Sequence, residues 1–448
     1  MNKPGRTPLM RAKKLEKYLG VEQIYLKLEG TNPYGHKFDR VSEIIVKDAL
    51  HHKNESLLVD GSDDYINSII QFCENNDLTV KIPLFKNERW KESIFNNELF
   101  IDFRTNRVNN KYELADKYCR DNNSYNASQH ATRHLSMISL QKIGEEIAEK
   151  LGDNISTVFT QLSYGYTVSS LYNGFVNKWV EGDINRYPQI FSCTIPKGNA
   201  IFNDYKKNME MGALEDYNIK VNKYTRNLFT GEGVLLEDTL KAIRDTDGKI
   251  ISVDENLLKE SVQVLKKQES ILLSTEEGYS FAGFYKLAKE GKLKDGKHVI
   301  VLNDGKSDLE LYRVTNFEKY SKETISEWIK EWLQNYSDPI KDTEDAVGSA
   351  INSGFIILAL RNNNPQGVCV VVNLGFKDFI PTYHLGYIGT KEGNKGRGIA
   401  SELINQMIEL TEGKLSLHVD LDNKRARKLY EKLGFKTAYY RMIYSKER

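Results

Sequence analysis

The stretch GTKEGNKGRGIASELINQMIEL, residues 389–410, places the end of a strand, a glycine-rich loop and a helix in immediate succession. Gly393, Gly396 and Gly398 interrupt the loop, and apolar residues then recur at helical spacing on one side. Glycines let the chain turn its backbone N–H groups inward, and a helix N-terminus adds positive potential. The stretch therefore predicts an anion site suited to a pyrophosphate. A plain structural turn is the alternative for such a loop.

A second stretch, KLSLHVDLDNKRARKLYEKLGF, follows at residues 414–435 and narrows the alternatives. It predicts a strand, a turn at Asn423 and a short helix that carries Tyr430. Both stretches occur in the order found in the GNAT acetyltransferases, which this part of the chain resembles. The first corresponds to their acetyl-CoA loop, and the second to their asparagine-tyrosine-leucine-glycine-phenylalanine region. Lys395 replaces the usual arginine or glutamine of the loop.

This resemblance assigns acetyl-CoA binding to particular positions. It implies that the strand YIGT, which contains Ile388 and Thr390, pairs with the pantetheine arm and polarises the thioester carbonyl. It also implies a hydrogen bond from Asn423 to the pantetheine. The backbone amides of five consecutive residues would hold the pyrophosphate: Lys395, Gly396, Arg397, Gly398 and Ile399.

The same resemblance provides candidates for proton transfer. Tyr430 is the expected general acid near the thioester sulfur, and a core aromatic on an amphipathic helix is the structural alternative. His384, at the start of the central strand, is the candidate base. His418 and Asp420 on the next strand are alternative bases. Deprotonation through water would need no side-chain base.

Residues 20–310 alternate between strand-like and helix-like segments, which favours α/β layers around a mainly parallel sheet. The helical segment at 133–152 ends at Gly152, and LELYRVT starts a new strand-then-helix pattern at Leu309. We therefore predict one domain at residues 1–310 and a second at 311–448. The predicted strands are IYLKLE (24–29), LTVKIPLF (78–85), STVFTQL (156–162) and KHVIVLN (297–303).

The segment EGTNPYGHKFDR, residues 29–40, places Lys37 at a helix entrance behind a glycine turn. Such a position suits a lysine that binds a carbonyl cofactor, although a solvated helix start is the ordinary alternative. The chain from TPL (7–9) through YLKLEGTNP (25–33) to KHVIVL resembles the threonine synthase branch of the fold-type II pyridoxal-phosphate enzymes, which include tryptophan synthase β. The resemblance implies two α/β subdomains around the cofactor.

Four positions depart from the cofactor pocket of that family. Lys37 comes one residue early, and Asp64 stands where an asparagine faces the phenolic oxygen. The phosphate loop, LSYGYT, offers Ser163 but keeps only Gly165 of its glycines. Asn303 replaces the serine or threonine opposite the pyridine nitrogen. Two hypotheses stay open: Lys37 binds pyridoxal phosphate after a one-residue shift, or the domain is a pseudoenzyme whose cleft holds an amino acid or a partner.

The bulk composition limits the classes of function. The 448 residues include 63 basic and 62 acidic side chains, and the net charge of +1 gives no reason to expect nucleic acid. No run of about 18 apolar residues predicts a membrane span, and the N-terminus lacks the apolar core of a signal peptide. Four cysteines without metal-ligand spacing indicate core residues in a reducing, cytoplasmic setting and no metal site. The family resemblance adds a homodimer as an expectation.

We therefore predict a fused protein. Its expected activity is acetyl transfer from acetyl-CoA to a small-molecule amine, such as an amino acid that the first domain makes or holds. One alternative is an active pyridoxal-phosphate lyase or synthase with a regulatory GNAT-like tail. Another is a sensor that binds an amino acid and CoA without turnover.

Overall fold

The computed structural model describes residues 3–85, 88–105, 110–208, 221–231, 233–361, 363–376, 381–393 and 398–438. The chain divides between Ser307 and Asp308 into two compact units. Three residues of the predicted pyrophosphate loop, Lys395, Gly396 and Arg397, lie outside the described residues.

The first unit is built on two sheets and a small strand pair. Its strands are β1 (Leu9–Arg11), β2 (Ile24–Leu28), β3 (Ser56–Leu58), β4 (Thr79–Leu84), β5 (Phe100–Asp102), β6 (Ser124–Asn126), β7 (Ile155–Gln161), β8 (Gln189–Thr194), β9 (Lys249–Ser252), β10 (Ile271–Leu272), β11 (Lys297–Leu302) and β12 (Lys306–Ser307). Six strands have the order β1-β2-β11-β7-β8-β9, in which β1 is antiparallel to β2 and the other neighbours are parallel. Four parallel strands have the order β5-β4-β3-β6, and the pair β10-β12 is antiparallel.

Helices connect these strands. They are α1 (Lys13–Leu19), α2 (Asp39–His51), α3 (Asp63–Glu74), α4 (Lys111–Asp121), α5 (Arg133–Leu151), α6 (Tyr166–Val180), α7 (Ala200–Asn208), α8 (Leu236–Asp245), α9 (Glu255–Glu269) and α10 (Tyr279–Lys289). Polar caps start several of them: Ser62 accepts the backbone N–H of Tyr65 at the start of α3, and Asp254 does the same for the first turn of α9. The mixed α/β architecture predicted from the alternation of segments is confirmed.

The central strand β11 separates two hydrophobic cores. Val299 and Val301 pack into one core, whereas Ile300 and Leu302 pack into the other. A strand that is covered on both faces needs an apolar residue at nearly every position, and KHVIVL meets this requirement.

The carboxyl ends of the parallel strands place several loops beside one another. The loop after β2 carries Lys37, and the loop after β3 carries Ser62. Ser163 follows β7, and Asn303 follows β11 directly. Ligands of open parallel sheets bind at this edge, because the connecting loops converge there.

The second unit has one five-stranded sheet with helices on its faces. Its elements are β13 (Glu310–Val314), α11 (Lys322–Leu333), α12 (Ile340–Ser353), β14 (Phe355–Arg361), β15 (Asn364–Asn373), β16 (Tyr383–Thr390), α13 (Ile399–Leu410), β17 (Leu415–Leu417) and α14 (Lys424–Lys432). The strands have the order β13-β14-β15-β16-β17. Neighbouring strands are antiparallel except β16 and β17, which are parallel.

A β-bulge in β16 shapes this sheet. Val371 pairs with Leu385 and Val370 pairs with Tyr387, so Gly386 is an extra residue in the ladder. In a regular strand, residues 385 and 387 would point to the same face. Here Leu385 packs into one core and Tyr387 into another, on the opposite side of the sheet.

Two further features follow from burial and length. All four cysteines are buried and unpaired, as predicted for core residues. Among the helices in the described part of the chain, none combines the length and the apolar character that crossing a membrane requires.

Candidate functional site

Lys37 lies between β2 and α2 and points into a cleft of the first unit. Its exposed fraction is 5%, and Nζ donates a 3.0 Å hydrogen bond to Oγ1 of Thr167 in the first turn of α6. Its backbone N–H donates to the carbonyl oxygen of Asn303 at 2.9 Å. Burial lowers the pKa of Lys37, and the negative charges of Glu277 and Asp64 oppose that change. A lowered pKa increases the fraction of neutral, nucleophilic amine.

The cleft brings together the five predicted cofactor positions of this unit. Lys37, Asp64, Ser163, Gly165 and Asn303 all line it, and its cavity volume is about 40 Å³. The other lining residues are Phe38, Ser62, Gln129, Gln161, Tyr164, Tyr166, Thr167, Asn227 and Glu277.

Phe38 also lines the cleft, at the place where the family resemblance predicts the lysine. Its ring is half-buried and meets the ring of Tyr65 edge to face at 5.5 Å. The Nζ atom of Lys37 lies 5.2 Å from the centre of the Phe38 ring. Gly35, two residues before Lys37, has a φ of 93°, a left-handed conformation that glycine adopts without strain. The turn thus presents the early lysine to the cleft.

Glu277 is the residue of this cleft that sequence reasoning missed. Its Oε2 accepts hydrogen bonds from Nδ2 of Asn303 and from Nε2 of Gln161, the latter at 3.1 Å. Burial raises the pKa of Glu277, and the charge of Lys37 opposes the rise. Its only sequence signal is an acidic pair before an apolar helix, which is equally typical of an ordinary helix start.

His36 and Asp64 complete a cluster with Glu277, in which one polar atom from each lies within 4.8 Å of the others. Nδ1 of His36 accepts the N–H of Phe38 at 3.2 Å, so the neutral ring carries its proton on Nε2, 3.8 Å from Oε2 of Glu277. A metal at Nε2 would require that proton to move to Nδ1 and break the bond to Phe38. The arrangement therefore leaves Nε2 of His36 as a hydrogen-bond donor toward the cleft and disfavours metal ligation.

Asp64 differs from the asparagine that the family resemblance predicts, but its chemistry partly compensates. Burial raises the pKa of Asp64 to about 7, while His36 acts in the opposite direction. Near neutral pH a large fraction of this carboxyl is therefore protonated and can donate a hydrogen bond, as an amide does.

The loop before α6 is fixed by contacts rather than by several glycines. Gly165 precedes the helix with a φ of 90°, and a Cβ at this position would lie 2.1 Å from Oγ1 of Thr239. Asn199 donates from Nδ2 to the carbonyl oxygen of Ser163 at 3.0 Å. The hydroxyl of Tyr166 donates to the carbonyl oxygen of Gln129 at 2.6 Å. The loop therefore holds a defined conformation despite its bulky residues.

A buried ionic network supports the segment that carries Lys37. Arg40 bonds to Glu29 through Nε at 2.7 Å and to Glu146 through Nη1 at 2.6 Å, and Lys27 also bonds to Glu146 at 2.6 Å. Burial alone would raise the pKa of Glu29, but Arg40 outweighs this and lowers it. The network joins β2, α2 and α5, so it fixes the loop between β2 and α2 from both ends.

The residues of the cleft fit the cofactor that the family resemblance implies. A buried lysine with a lowered pKa faces the N-terminus of α6, where helix amides attract a phosphate. Buried polar atoms without a hydrogen-bond partner within the described part of the chain adjoin it, namely Nε2 of His36, Oε1 of Gln161 and Oδ1 of Asn303. Buried groups of this kind normally have partners. A polar ring substituted with oxygen and phosphate would supply such partners.

The second unit has an opening between β16 and β17. The two strands pair only from Tyr383 to Leu385 and from Leu415 to Leu417, while β16 continues to Thr390. The edge of residues 387–390 that faces away from β15 is thus unpaired by any strand in the described part of the chain. It includes Ile388 and Thr390, the residues predicted to pair with pantetheine.

Gly398 and Ile399 stand at the start of α13, close in sequence to this opening. Gly398 precedes the helix with a φ of 87°, and the side chain of Ile399 is 2% exposed in the core. Because its side chain is committed to the core, Ile399 offers only its backbone N–H to a ligand. Its backbone role at the pyrophosphate stays a prediction.

Asn423 and Tyr430 lie on either end of α14. Oδ1 of Asn423 caps the helix by accepting the N–H of Ala426 at 3.1 Å, which leaves Nδ2 as a donor. Tyr430 is 9% exposed and meets Phe435 edge to face at 5.9 Å. Burial raises the pKa of Tyr430 to about 12, so the hydroxyl stays protonated at neutral pH.

The structure places His384 and Tyr430 on opposite faces of the sheet. Leu385 packs with Tyr430, and His384 precedes Leu385 in the strand, so its side chain points to the other face. Nδ1 of His384 is 3.0 Å from Oγ of Ser416, and its ring centre is 4.4 Å from that of His418. The alternative bases His418 and Asp420 lie beyond the end of β17, and both are exposed.

Two family models match the chain. The model described as pyridoxal-phosphate dependent enzyme matches residues 1–305, and the model described as acetyltransferase (GNAT) family matches residues 317–435.

Individual relatives cover the first part of the chain. Threonine synthase of Methanocaldococcus jannaschii is 21% identical over 310 residues, which are 67% of this chain and 74% of that protein. Serine racemase from Dictyostelium discoideum has a TM-score of 0.51 at 14% identity and covers 67% of this chain and 92% of its own. Threonine deaminase of T.th. has a TM-score of 0.50 at 16% identity, with the same coverage. At these identities the two solved structures show the fold alone.

Proposed function

The chain belongs to the family of pyridoxal-phosphate dependent enzymes, and on that premise we propose an enzyme that acetylates a small-molecule amine, such as an amino acid, which its first unit binds or makes. The second unit is a GNAT-family domain. Enzymes of the first family use pyridoxal phosphate, and GNAT domains use acetyl-CoA. The chain therefore joins a domain of each family in one polypeptide.

The observation that carries the proposal is the opening in the second unit. After Leu385 the two parallel strands separate, and β16 offers an unpaired edge of N–H and C=O groups within the described part of the chain. Such an edge binds an extended ligand through main-chain hydrogen bonds. Pantetheine carries amide groups that suit this pairing, and the start of α13 at Gly398 suits the pyrophosphate that follows it in CoA.

Tyr430 and His384 divide the proton transfers. The protonated hydroxyl of Tyr430 provides a general acid for the departing CoA thiolate. The side chain of His384 lies on the opposite face of the sheet and serves as the base for the incoming amine. An acid and a base on opposite faces would let the thioester and the amine approach from different sides.

In the first unit, Lys37 is the residue for covalent attachment of pyridoxal phosphate. Ser163, Gly165 and the start of α6 would hold the phosphate, and Asp64 and Asn303 would face the ring. When bound, the cofactor supplies an electron sink for chemistry at the α-carbon of an amino acid. The chain contributes a buried amine of lowered pKa and a fixed loop around it.

A second candidate function is a working pyridoxal-phosphate lyase or synthase with a regulatory second unit. The burial of Lys37 against Thr167 favours it, because a lysine without chemical use rarely gives up its hydration. Here the second unit would bind CoA without turnover.

The test is CoA release from acetyl-CoA by the full chain with a panel of amino acids and simple amines, with and without pyridoxal phosphate. We expect saturable CoA release with an acetylated amine as product. Binding of acetyl-CoA with no release across the panel would contradict the acetyltransferase and favour a sensor. Consumption of an amino acid that needs pyridoxal phosphate but not acetyl-CoA would favour the lyase or synthase.

A further inference from the structure

One carboxylate oxygen in the cleft of the first unit holds two side-chain amides. Oε2 of Glu277 accepts a hydrogen bond from Nδ2 of Asn303 and another, 3.1 Å long, from Nε2 of Gln161. These three residues line the same cleft, and their exposed fractions are 4%, 1% and 6% in that order. A single oxygen that meets two amides acts as their common acceptor, so both amides turn their nitrogen toward Glu277.

The two amide oxygens are the groups that this arrangement leaves over. Oδ1 of Asn303 and Oε1 of Gln161 are both buried, and neither has a hydrogen-bond partner within the described part of the chain. An amide oxygen can only accept a hydrogen bond, and a buried acceptor normally has a donor. The cleft therefore suits a ligand that brings a donor group to these oxygens.

Acidic side chains around the two oxygens favour a donor with positive charge. Glu277 bonds to Asn303 directly, and polar atoms of Asp64 and Glu277 lie within 4.8 Å of each other. Burial raises the pKa of both carboxyl groups, and the charge of Glu277 adds to the rise at Asp64. A cationic N–H group attracts these buried carboxylates, whereas a neutral hydroxyl does so far less. The wall thus favours a protonated nitrogen.

Asn303 is also the residue that the family resemblance places opposite the pyridine nitrogen of the cofactor. The serine or threonine expected there has a hydroxyl, which can donate to a bare ring nitrogen or accept from a protonated one. Asn303 has its Nδ2 committed to Glu277, so its Oδ1 can only accept. A hydrogen bond between Asn303 and the ring nitrogen therefore requires a proton on the ring.

We propose that Glu277 is a positioning residue that fixes Asn303 as a hydrogen-bond acceptor, so that the cleft binds pyridoxal phosphate with a proton on its ring nitrogen. This inference rests on the proposed binding of the cofactor by the first unit. A protonated ring is a stronger electron sink than a neutral one, which favours chemistry at the α-carbon of an amino acid.

The direct test is nuclear magnetic resonance of the full chain loaded with pyridoxal phosphate that carries ¹⁵N in its ring. We expect a protonated ring nitrogen at pH 8 in the wild type and an unprotonated one in Asn303→Ala and in Glu277→Ala. Asn303→Ala removes the acceptor and keeps the charge of Glu277, whereas Glu277→Ala frees the amide to turn. An unprotonated ring nitrogen in the wild type, or a protonated one in either variant, would overturn the proposal.

Asn227→Ala is the matched control, because Asn227 also lines the cleft but donates to Asp64, at 3.3 Å. The ring nitrogen should stay protonated in this variant. Loss of the proton there as well would show a general change in the cleft rather than a specific acceptor at Asn303, and would count against the proposal.

A second measurement needs no cofactor. With ¹⁵N-labelled asparagine, the side-chain amide of Asn303 is assigned by its loss in Asn303→Ala. We expect its protons to exchange with water roughly tenfold faster in Glu277→Ala than in the wild type, the scale of one lost hydrogen bond. Equal exchange rates would overturn the positioning role of Glu277.

Affinity separates this inference from the proposed acetyltransferase. A wild type that binds no pyridoxal phosphate in calorimetry would overturn the use of Asn303 as an acceptor for the ring. Acetyl transfer by the same preparation, measured with acetyl-CoA and the amine panel, would show that the acetyltransferase proposal survives that failure. The reverse result, a protonated ring nitrogen without acetyl transfer, would support the inference and contradict the acetyltransferase alone.

Discussion

The cleft of the first unit and the opening of the second unit are built from different parts of the polypeptide. The cleft depends on side chains: Lys37, Glu277 and His36 are buried within a few ångströms of other charged groups. The opening depends on the backbone: the bulge at Gly386, the edge of β16 that no strand of the described residues pairs with, and the left-handed Gly398.

This difference predicts that the two regions tolerate substitution unequally. A site made of side chains changes whenever a side chain changes, and the sequence resemblance predicts four such changes in the first cleft. A site made of backbone tolerates substitution, as at Lys395, because any residue there still offers its N–H group.

The largest effect is expected at Lys37. If the cleft depends on this side chain, Lys37→Ala should abolish the pyridoxyl adduct formed with pyridoxal phosphate and borohydride, and peptide mass mapping should find the wild-type adduct at Lys37. Lys47→Ala, an exposed lysine of α2, is the control and should keep it. An adduct on another lysine would show that Lys37 does not correspond to the cofactor-binding lysine of the family. No adduct on folded wild-type protein would mark the domain as a pseudoenzyme.

The ionic network behind the cleft should give the next effect. Glu29→Gln leaves Arg40 buried with an incomplete partner, and breaking a buried pair costs about 3–5 kcal/mol. Glu43→Gln removes an exposed pair with Lys47 and should cost at most about 0.5 kcal/mol. Thermal unfolding of both variants measures the difference. Equal melting temperatures would show that the segment around Lys37 does not rely on the network.

The backbone character of the opening is tested at Gly398. In Gly398→Val the Cβ meets no described atom within 4 Å, but the rest of the side chain would fill the space of the pyrophosphate. Losing two charge-assisted hydrogen bonds of about 2 kcal/mol each should weaken acetyl-CoA binding roughly 1000-fold.

Gly413→Val is the matched control, because this glycine is also left-handed, with a φ of 76° and open space around it. Both variants carry the same backbone strain of about 1–2 kcal/mol. Calorimetry should therefore find near-normal acetyl-CoA affinity in the control alone. Equal affinities in the two variants would remove the pyrophosphate from the start of α13.

Much of the fold follows from local sequence patterns. The apolar run KHVIVLN predicts the buried strand β11, and Gly152 predicts the end of α5, which stops at Leu151. The cleft depends instead on contacts between distant residues. Arg40 meets Glu146 across 106 positions, and Gln161 meets Glu277 across 116. Helical or strand periodicity relates only residues that are close in sequence, and these pairs are more than 100 positions apart. The burial and the raised pKa of Glu277 could therefore not be predicted from the sequence.

The second unit shows the same limit at smaller scale. Its helices and strands follow the sequence pattern, but the side chains of β16 do not alternate between the two faces of the sheet as a regular strand would require. A regular strand would put Leu385 and Tyr387 together, and the bulge separates them. A glycine inside a strand pattern is a known signal for a bulge, so Gly386 was a usable clue.

Tyr430→Phe tests a side chain beside the opening of the second unit. General acid catalysis contributes about 100-fold or more, so kcat for acetyl transfer should fall roughly 100-fold with acetyl-CoA affinity unchanged. Tyr336→Phe, an exposed tyrosine of the same unit, is the control. If kcat and affinity of Tyr430→Phe both equal the wild-type values, Tyr430 is a core aromatic and the acid lies elsewhere.

The smallest effect concerns the pH dependence of the cleft. Burial raises the pKa of Asp64 to about 7, against an ordinary value of 3.8, with His36 acting in the opposite direction and Glu277, Asp63 and Asp304 acting with the burial. Between these two values the folded protein holds a proton that the unfolded chain has lost. Stability therefore falls as the pH rises from about 4 to about 7, and the loss persists above that range.

Asp64→Asn has no charge to bury at any pH, so it should exceed the wild type in stability at pH 8 and converge with it near pH 4. Because Asp64 is only partly enclosed, solvent screening limits the gain to roughly 1 kcal/mol, or about 2–4 °C in melting temperature. Asp121→Asn, an exposed aspartate at the end of α4, should show no such pH dependence. Asparagine also restores the amide predicted beside the phenolic oxygen, so Asp64→Asn should bind pyridoxal phosphate more tightly at pH 8. Parallel stability curves for the wild type and Asp64→Asn would mean that burial does not raise the pKa of Asp64, and would contradict its role as a protonated hydrogen-bond donor at neutral pH.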